Sequence, residues 1–336
     1  MLAEAREGPQ AAARLLANEA AAFAALGEDL RAAPPQSLLT VARGSSDHAA
    51  HYFGYLVMAR LGRLVTSLPM SLVTLYPTRL RCEGLVAFAF SQSGQSPDLL
   101  APLAHFNAHG ARTVAFVNDA ASPLALAAQR CIALHAGAET SVAATKSCLN
   151  QLVAGAAVVA AWERDASFAA ALQALPAQLE RALALDWSAA VDALRGADRL
   201  FVLARGPALA VAMEAALKFK EVCGIQAEAF SGAEVQHGPM ALVEPGFPLL
   251  ILAPPGPAQA GLLALAQQMR GRGARVLLAA PPGTPGAELP LATGGHADLD
   301  PVAAAQSFYG MVEALARARG LDPDRPRHLN KVTRTQ

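Results

Sequence analysis

Short runs of strand-type apolar residues alternate along this chain with longer Ala- and Leu-rich stretches. Leu38–Val41, Leu85–Phe90, Arg112–Val117 and Ile132–Leu134 are the short runs of the first half. Strands of that length between helical patterns predict βαβ units, with a parallel sheet covered by helices on both faces. The expected class is therefore α/β, in flavodoxin-like three-layer units. Ahead of the first run, residues 10–30 carry Glu19, Glu28 and Asp29 among alanines and leucines, which predicts one amphipathic helix. Pro34 and Pro35 stop it.

The pattern then repeats. Thr40–Ser45 recurs as Val202–Pro207, and Leu85–Gly94 lines up with Phe247–Gly256, both 162 positions later. Gly110–Val117 matches Gly273–Ala280 at an offset of 163. Three matches in one register imply two copies of one α/β unit. The expected boundaries are an N-terminal helical segment 1–30, copies at 30–165 and 190–320, and a tail 321–336. A helical linker containing Pro176 runs near Phe168–Leu185.

The copies differ at the end of the second strand. Copy one has Ser91, Ser93 and Ser96 where copy two has Ala253, Pro255 and Ala258. Ser96-Pro97-Asp98 is a helix-start signal, with a capping serine, proline at the first position and an acid in the first turn. A helix N-terminus offers N–H groups and partial positive charge. Three hydroxyls and a flexible Gly94 beside it make an anion cradle without lysine, at the strand ends where open α/β sheets bind ligands. Asp98 would compete with a phosphate for those N–H groups, unless it points outward. Arg43–Asp47 forms a second glycine-led turn between strand and helix, without the GxGxxG of a dinucleotide site.

Charge and composition narrow the partners. The chain has 336 residues, about half of them hydrophobic, with 27 basic and 27 acidic side chains. Such a balance gives no basic patch for nucleic acid or an anionic membrane surface. The apolar run Leu152–Trp162 is shorter than the ~20 residues of a membrane span. Cys82, Cys131, Cys148 and Cys223 are scattered, which suits reduced thiols in a cytoplasmic protein. His105 and His109 lack the HExxH context of a zinc site, and no cofactor is expected.

Residues 208–223 read as a mostly apolar helix on which Glu214, Lys218 and Glu221 share one face. That stripe fits either a small polar cleft or an exposed Glu–Lys pair. His237, ahead of Gly238-Pro239, sits on a turn that can present it to a site. The basic tail holds Lys331. Folded back, it would supply an amine nucleophile once desolvation or nearby cations lowered its pKa.

Together these pieces resemble the sugar isomerase (SIS) family. In particular they resemble the isomerase half of glucosamine-6-phosphate synthase and the stand-alone glucosamine-6-phosphate deaminases. The resemblance runs over nearly the whole chain, through Arg43–His48, Ser91–Gly94, Glu139–Lys146, Glu214–Glu221, Ala227–Phe230, His237–Pro239 and the tail around Lys331. It implies that Ser46, Ser91, Gln92, Ser93 and Ser96 hold a sugar phosphate and that Val142 lines the sugar site. By the same resemblance Lys331 forms a Schiff base, Glu221 shuttles a proton between C1 and C2, and Glu214 and Lys218 support the site. His237 would assist ring opening from a second subunit of a homodimer. Ala144 stands where the family commonly has serine, so one sugar contact differs. The chain opens directly on isomerase-like sequence without the synthase's glutaminase, so the expected reaction is glucosamine 6-phosphate plus water to fructose 6-phosphate plus ammonia. A related amino-sugar phosphate enzyme, or a non-catalytic phosphosugar sensor, would share these features.

Overall fold

The computed structural model describes residues 1–76 and 78–331. The expected tail positions 332–336 lie outside the described residues. Among the described residues two five-stranded parallel sheets form. The first contains β1 (Ser37–Val41), β2 (Val65–Ser67), β3 (Leu85–Ser91), β4 (Arg112–Val117) and β5 (Arg130–Ala133), in the order β2-β1-β3-β4-β5. The second contains β6 (Arg199–Ala204), β7 (Gln226–Ser231), β8 (Pro248–Leu252), β9 (Arg275–Ala280) and β10 (Leu289–Pro290). Its order, β10-β9-β8-β6-β7, is the same topology read from the other edge.

The registers agree residue by residue. Leu39 pairs with Ala87 and Phe201 with Leu249, each 162 positions apart between copies. Val86 faces Arg112, and Pro248 faces Arg275, where the offset between β4 and β9 has become 163. The single extra residue lies ahead of β9, so pairing is preserved and no side chain changes face. Central strands β3 and β8 are buried along almost their full length, as sheets covered on both sides require.

Three strands escaped the sequence reading for a common reason. β2 and β7 are sheet edges with exposed polar positions, and β10 has two residues. None carries a buried apolar run. The helix expected over 10–30 is two helices, Gly8–Asn18 and Ala20–Ala32. The break falls at Glu19, whose carboxylate meets His135 Nε2 at 2.7 Å.

In the first sheet's unit, helix Gly44–Leu61 packs on helix Lys146–Glu163, which also meets Ala20–Ala32. The last contact is close enough that a Cβ on Gly27 would stand 2.6 Å from the Ala161 carbonyl oxygen. Phe53, Phe88, Phe90 and Phe116 cluster against the sheet, with ring centroids 4.7 Å apart for Phe53–Phe88 and 4.8 Å for Phe90–Phe116. In the other unit, helices Ala208–Cys223 and Asp300–Ala318 pack together, with Phe219 and Phe308 edge to face at 5.2 Å.

The two compact units are not contiguous stretches of chain. One comprises Gln10–Glu139 and Lys146–Gln173, with Asn330 and Lys331 among its described residues. The other comprises Met1–Pro9, Thr140–Thr145 and Ala174–Leu329. Thus the helical start and the tail each divide between units, and a six-residue piece of the first repeat belongs with the second. The bonds that recruit this piece are specific. Glu4 Oε1 accepts the N–H groups of Thr140 at 2.5 Å and Ser141 at 3.1 Å. The Asp324 carbonyl accepts from Val142 at 3.3 Å and its carboxylate from the Ser141 hydroxyl at 2.7 Å.

No disulfide joins the described cysteines; Cys82, Cys148 and Cys223 are buried, and burial pushes the Cys223 thiol up to about 12. Among the described residues no helix is long and apolar enough to cross a membrane. Removing one ring from the aromatic cluster tests the first core. Phe88→Ala should cost about 3–5 kcal/mol of unfolding free energy, read from urea melts.

Candidate active site

Parallel pairing of β1 with β3 sets Val41 opposite Ala89, so the carboxyl ends of both strands emerge side by side. The turn after β3 is built from its own hydroxyls. Ser91 Oγ accepts the Gly94 N–H at 2.9 Å, and Ser93 Oγ accepts the Gln95 N–H at 3.3 Å. Gly94 has φ 64°, and a methyl group there would collide with Ser122 Oγ. Ser96 takes the extended N-cap backbone before helix Pro97–Ala108, and the half-buried Gln92 accepts the Asn118 N–H through its carbonyl. On the neighbouring turn, Ser46 lies in the first turn of helix Gly44–Leu61, where its Oγ accepts from Gln151 Nε2 at 2.9 Å.

A hydroxyl has one proton and two lone pairs. Ser46, Ser91 and Ser93 each use a lone pair on an N–H donor, which leaves each proton to be given outward. The turn is therefore a set of hydroxyl donors around a helix start, the chemistry of an anion site. Asp98 does not point into solvent. It is 3% exposed and pairs with Arg43 Nε at 3.0 Å, which ties the two turns together and matches its charge. Beside it, burial raises the Asp47 carboxyl above its usual range, against the pull of His48 and His51.

The second unit carries the charged stripe. Helix Ala208–Cys223 ends where the sequence places it, at Gly224 in the left-handed conformation. Glu214, Lys218 and Glu221 meet on one face: Lys218 Nζ lies 3.0 Å from Glu214 Oε1 and 2.7 Å from Glu221 Oε2. The Tyr309 hydroxyl donates to Glu214 Oε1 at 3.3 Å. The Lys218 side chain is 0% exposed and that of Glu214 3%, so the exposed-pair reading is excluded. Glu221, at 20%, reaches the surface and lines a cavity of about 290 Å³ with Arg325, Arg327 and His328. His237 is exposed at the end of the short turn Glu234–Gln236.

Internal comparison shows how unusual the stripe is. Helix Gly44–Leu61 holds the equivalent place in the first copy and also ends at a left-handed glycine, Gly62. At the 162-residue offset, Tyr52 and Leu56 stand for Glu214 and Lys218, and both are fully buried. The same buried face is apolar in one copy and ionic in the other.

Val142 lies half-buried in the recruited segment, held by Asp324. Lys331 lies in the other unit, where its Nζ meets Glu139 Oε2 at 3.1 Å. Glu139, Gln151, Arg43 and Tyr309 were given no role from sequence. Each works through a partner far away in the chain, and only Glu139 and Arg43 sat inside quoted motifs.

The fold and these groups define a two-sheet protein with hydroxyl donors at a strand end and a buried acid–base stripe. A family model described as SIS domain matches residues 33–161 and 193–281. The chain belongs to the SIS domain family. It is 35% identical over 318 residues to the glutamine–fructose-6-phosphate aminotransferase [isomerizing] of Aeropyrum pernix, covering 88% of this chain and 50% of that one. The chain thus spans about half the length of the curated relatives it matches. A solved structure from Silicibacter pomeroyi DSS-3, described as a candidate phosphosugar isomerase, aligns with TM-score 0.91 and 44% identity, covering 96% of this chain and 99% of that one. Glucosamine-6-phosphate deaminase from Thermotoga maritima shares the fold, with TM-score 0.79 and 20% identity over 99% of both chains.

Two substitutions test the geometry. Gly94→Ala should lower the denaturant midpoint in urea melts, because the turn cannot close over Ser122. Lys218→Met should destabilise the protein by about 3–5 kcal/mol in denaturant melts, since it leaves the buried Glu214 carboxylate without the ammonium beside it.

Proposed function

We propose that this protein is a phosphosugar isomerase that acts on a hexosamine 6-phosphate, converting glucosamine 6-phosphate and water to fructose 6-phosphate and ammonia. The observation that carries the reading is the pairing state of the serine turn. Ser46, Ser91 and Ser93 already accept N–H donors, so their protons serve an anion. A phosphate monoester matches that set, with Gln92 and Ser96 completing the cradle. The relatives that share this sequence are named for an isomerising reaction on fructose 6-phosphate, which supplies the six-carbon ketose.

Aldose–ketose interconversion needs a base that moves a proton between C1 and C2, and a positioned carboxylate contributes typically 10²–10⁴-fold. Glu221 takes that part. It is the stripe's half-buried carboxylate, and Lys218 fixes its orientation from 2.7 Å. Glu214, which accepts from the Tyr309 hydroxyl, holds Lys218 in turn from the buried side. Once isomerisation has made C2 an iminium bearing the substrate's own nitrogen, the Lys331 amine adds to C2 and displaces that nitrogen as ammonia, and hydrolysis of the lysine imine then releases fructose 6-phosphate and the free amine. Val142 lines the sugar. His237, exposed on its turn, assists ring opening across a homodimer interface, so each site draws on two subunits. The phosphate cradle spends binding energy on orientation of the reacting carbons.

A coupled assay with glutamate dehydrogenase tests the reading. Glucosamine 6-phosphate should release ammonia. Glu221→Gln and Lys331→Ala should each lower the rate by about 10²-fold or more, while Ser91→Ala should act mainly through KM. A protein that neither releases ammonia from glucosamine 6-phosphate or galactosamine 6-phosphate nor interconverts the matching aldose and ketose phosphates is not this enzyme.

A further inference from the structure

Glu139 has no part in the chemistry above, yet its side chain is 0% exposed and meets three donors. Oε1 accepts the Ser147 N–H at 3.1 Å; Oε2 accepts the Ser147 hydroxyl at 2.6 Å and Lys331 Nζ at 3.1 Å. Ser147 is the second residue of helix Lys146–Glu163, which is buried almost throughout. One carboxylate therefore serves a rigid helix start and, 192 residues away in the chain, an amine near the end of the tail. A buried carboxylate without charged partners costs several kcal/mol, and the helix N-terminus and the ammonium together supply the compensation. The helix fixes Ser147, Ser147 fixes Glu139, and Glu139 fixes the amine.

We infer that Glu139 is the docking group of the Lys331 amine: a positioning residue that holds the ammonium in place and takes its proton when the amine attacks. The inference rests on the reading of Lys331 as the imine-forming group. The step balances. The ammonium passes one proton to the Glu139 carboxylate, and the nitrogen lone pair bonds to the ketose carbonyl carbon. The carbonyl π pair moves to oxygen, which takes up a proton from the added nitrogen. Glu139 then returns its proton to the carbinol oxygen, which leaves as water, and a protonated imine remains beside a carboxylate. A carboxylate that only capped the helix would do none of this. Glu139→Gln separates the two roles, because the amide oxygen still accepts from Ser147 while the charge that holds the ammonium is gone.

Three measurements on the full chain decide it. In wild type without sugar, reductive methylation read by peptide mass spectrometry should modify Lys331 about tenfold more slowly than the exposed Lys220, the scale of one charge-assisted hydrogen bond. In Glu139→Gln that protection should be lost. Borohydride trapping of fructose 6-phosphate on Lys331 should also fall about tenfold in Glu139→Gln, in kcat rather than KM. Equal methylation of Lys331 and Lys220 in wild type overturns the docking, whether or not the variant folds. Trapping at the wild-type rate in Glu139→Gln overturns the proton role. If wild type traps no sugar on Lys331 with either hexosamine-derived ketose, the imine reading falls and takes the proton role with it. A protected Lys331 would still leave the docking standing.

Discussion

Parallel pairing of β1 with β3 is the constraint on which the first half of the site rests. A parallel sheet sends the carboxyl ends of its strands to one edge, and the matched pair Val41–Ala89 sets two glycine-led turns next to each other there. A slip of one residue would turn every side chain of β3 to the opposite face and carry Ser91 with it. The Arg43–Asp98 bond joins the two turns after the register has brought them together. It also removes the conflict a carboxylate would create at an anion site. Asp98 is paired with a side chain from the other turn, which on the proposed reading leaves the hydroxyls and helix start to a negative group.

The second copy keeps the register and changes the chemistry. Its strand-end turn has lost the serines, and the helix after its first strand has gained the charged stripe. Both changes sit on an unchanged frame: equal strand order, equal pairing, and helices that end at left-handed Gly62 and Gly224. Tyr52 and Leu56 show that this frame folds with an apolar face at the positions of Glu214 and Lys218. A buried ion pair is often no more stabilising than an apolar replacement of its size. Stability alone therefore does not account for the stripe.

Most of the fold was legible because it is written in local and periodic terms. Apolar runs gave β1, β3, β4 and most of β5, and the internal offset gave β6, β8 and β9. Helix Ala208–Cys223 was read to its last residue. Edge strands β2 and β7 escaped because exposure on one side removes the apolar signal. The exchange of Met1–Pro9 and Thr140–Thr145 into the second unit was out of reach for another reason. It depends on Glu4 and Asp324 meeting backbone groups 136 and 182 positions away in sequence, and no spacing rule covers such pairs. In the site, hydroxyls and stripe were visible as residue types at a spacing. The partners that orient them, Arg43, Gln151 and Tyr309, were not, because each comes from a different element.

Charge within the stripe also separates the roles of its two glutamates. Two carboxylates meet one ammonium. Glu214 lies at the closed end, 3% exposed, with Lys218 and the Tyr309 hydroxyl around it. Glu221 lies at the open end, 20% exposed, on the wall of a cavity lined by two arginines and a histidine. A group that must take and return a proton needs access to its substrate and a partner that does not compete for the same oxygen throughout. Lys218 Nζ meets Oε2 of Glu221 at 2.7 Å and Glu214 Oε1 at 3.0 Å. On the proposed reading the mobile proton sits at Glu221, and Glu214 is the fixed charge that holds Lys218 beside it.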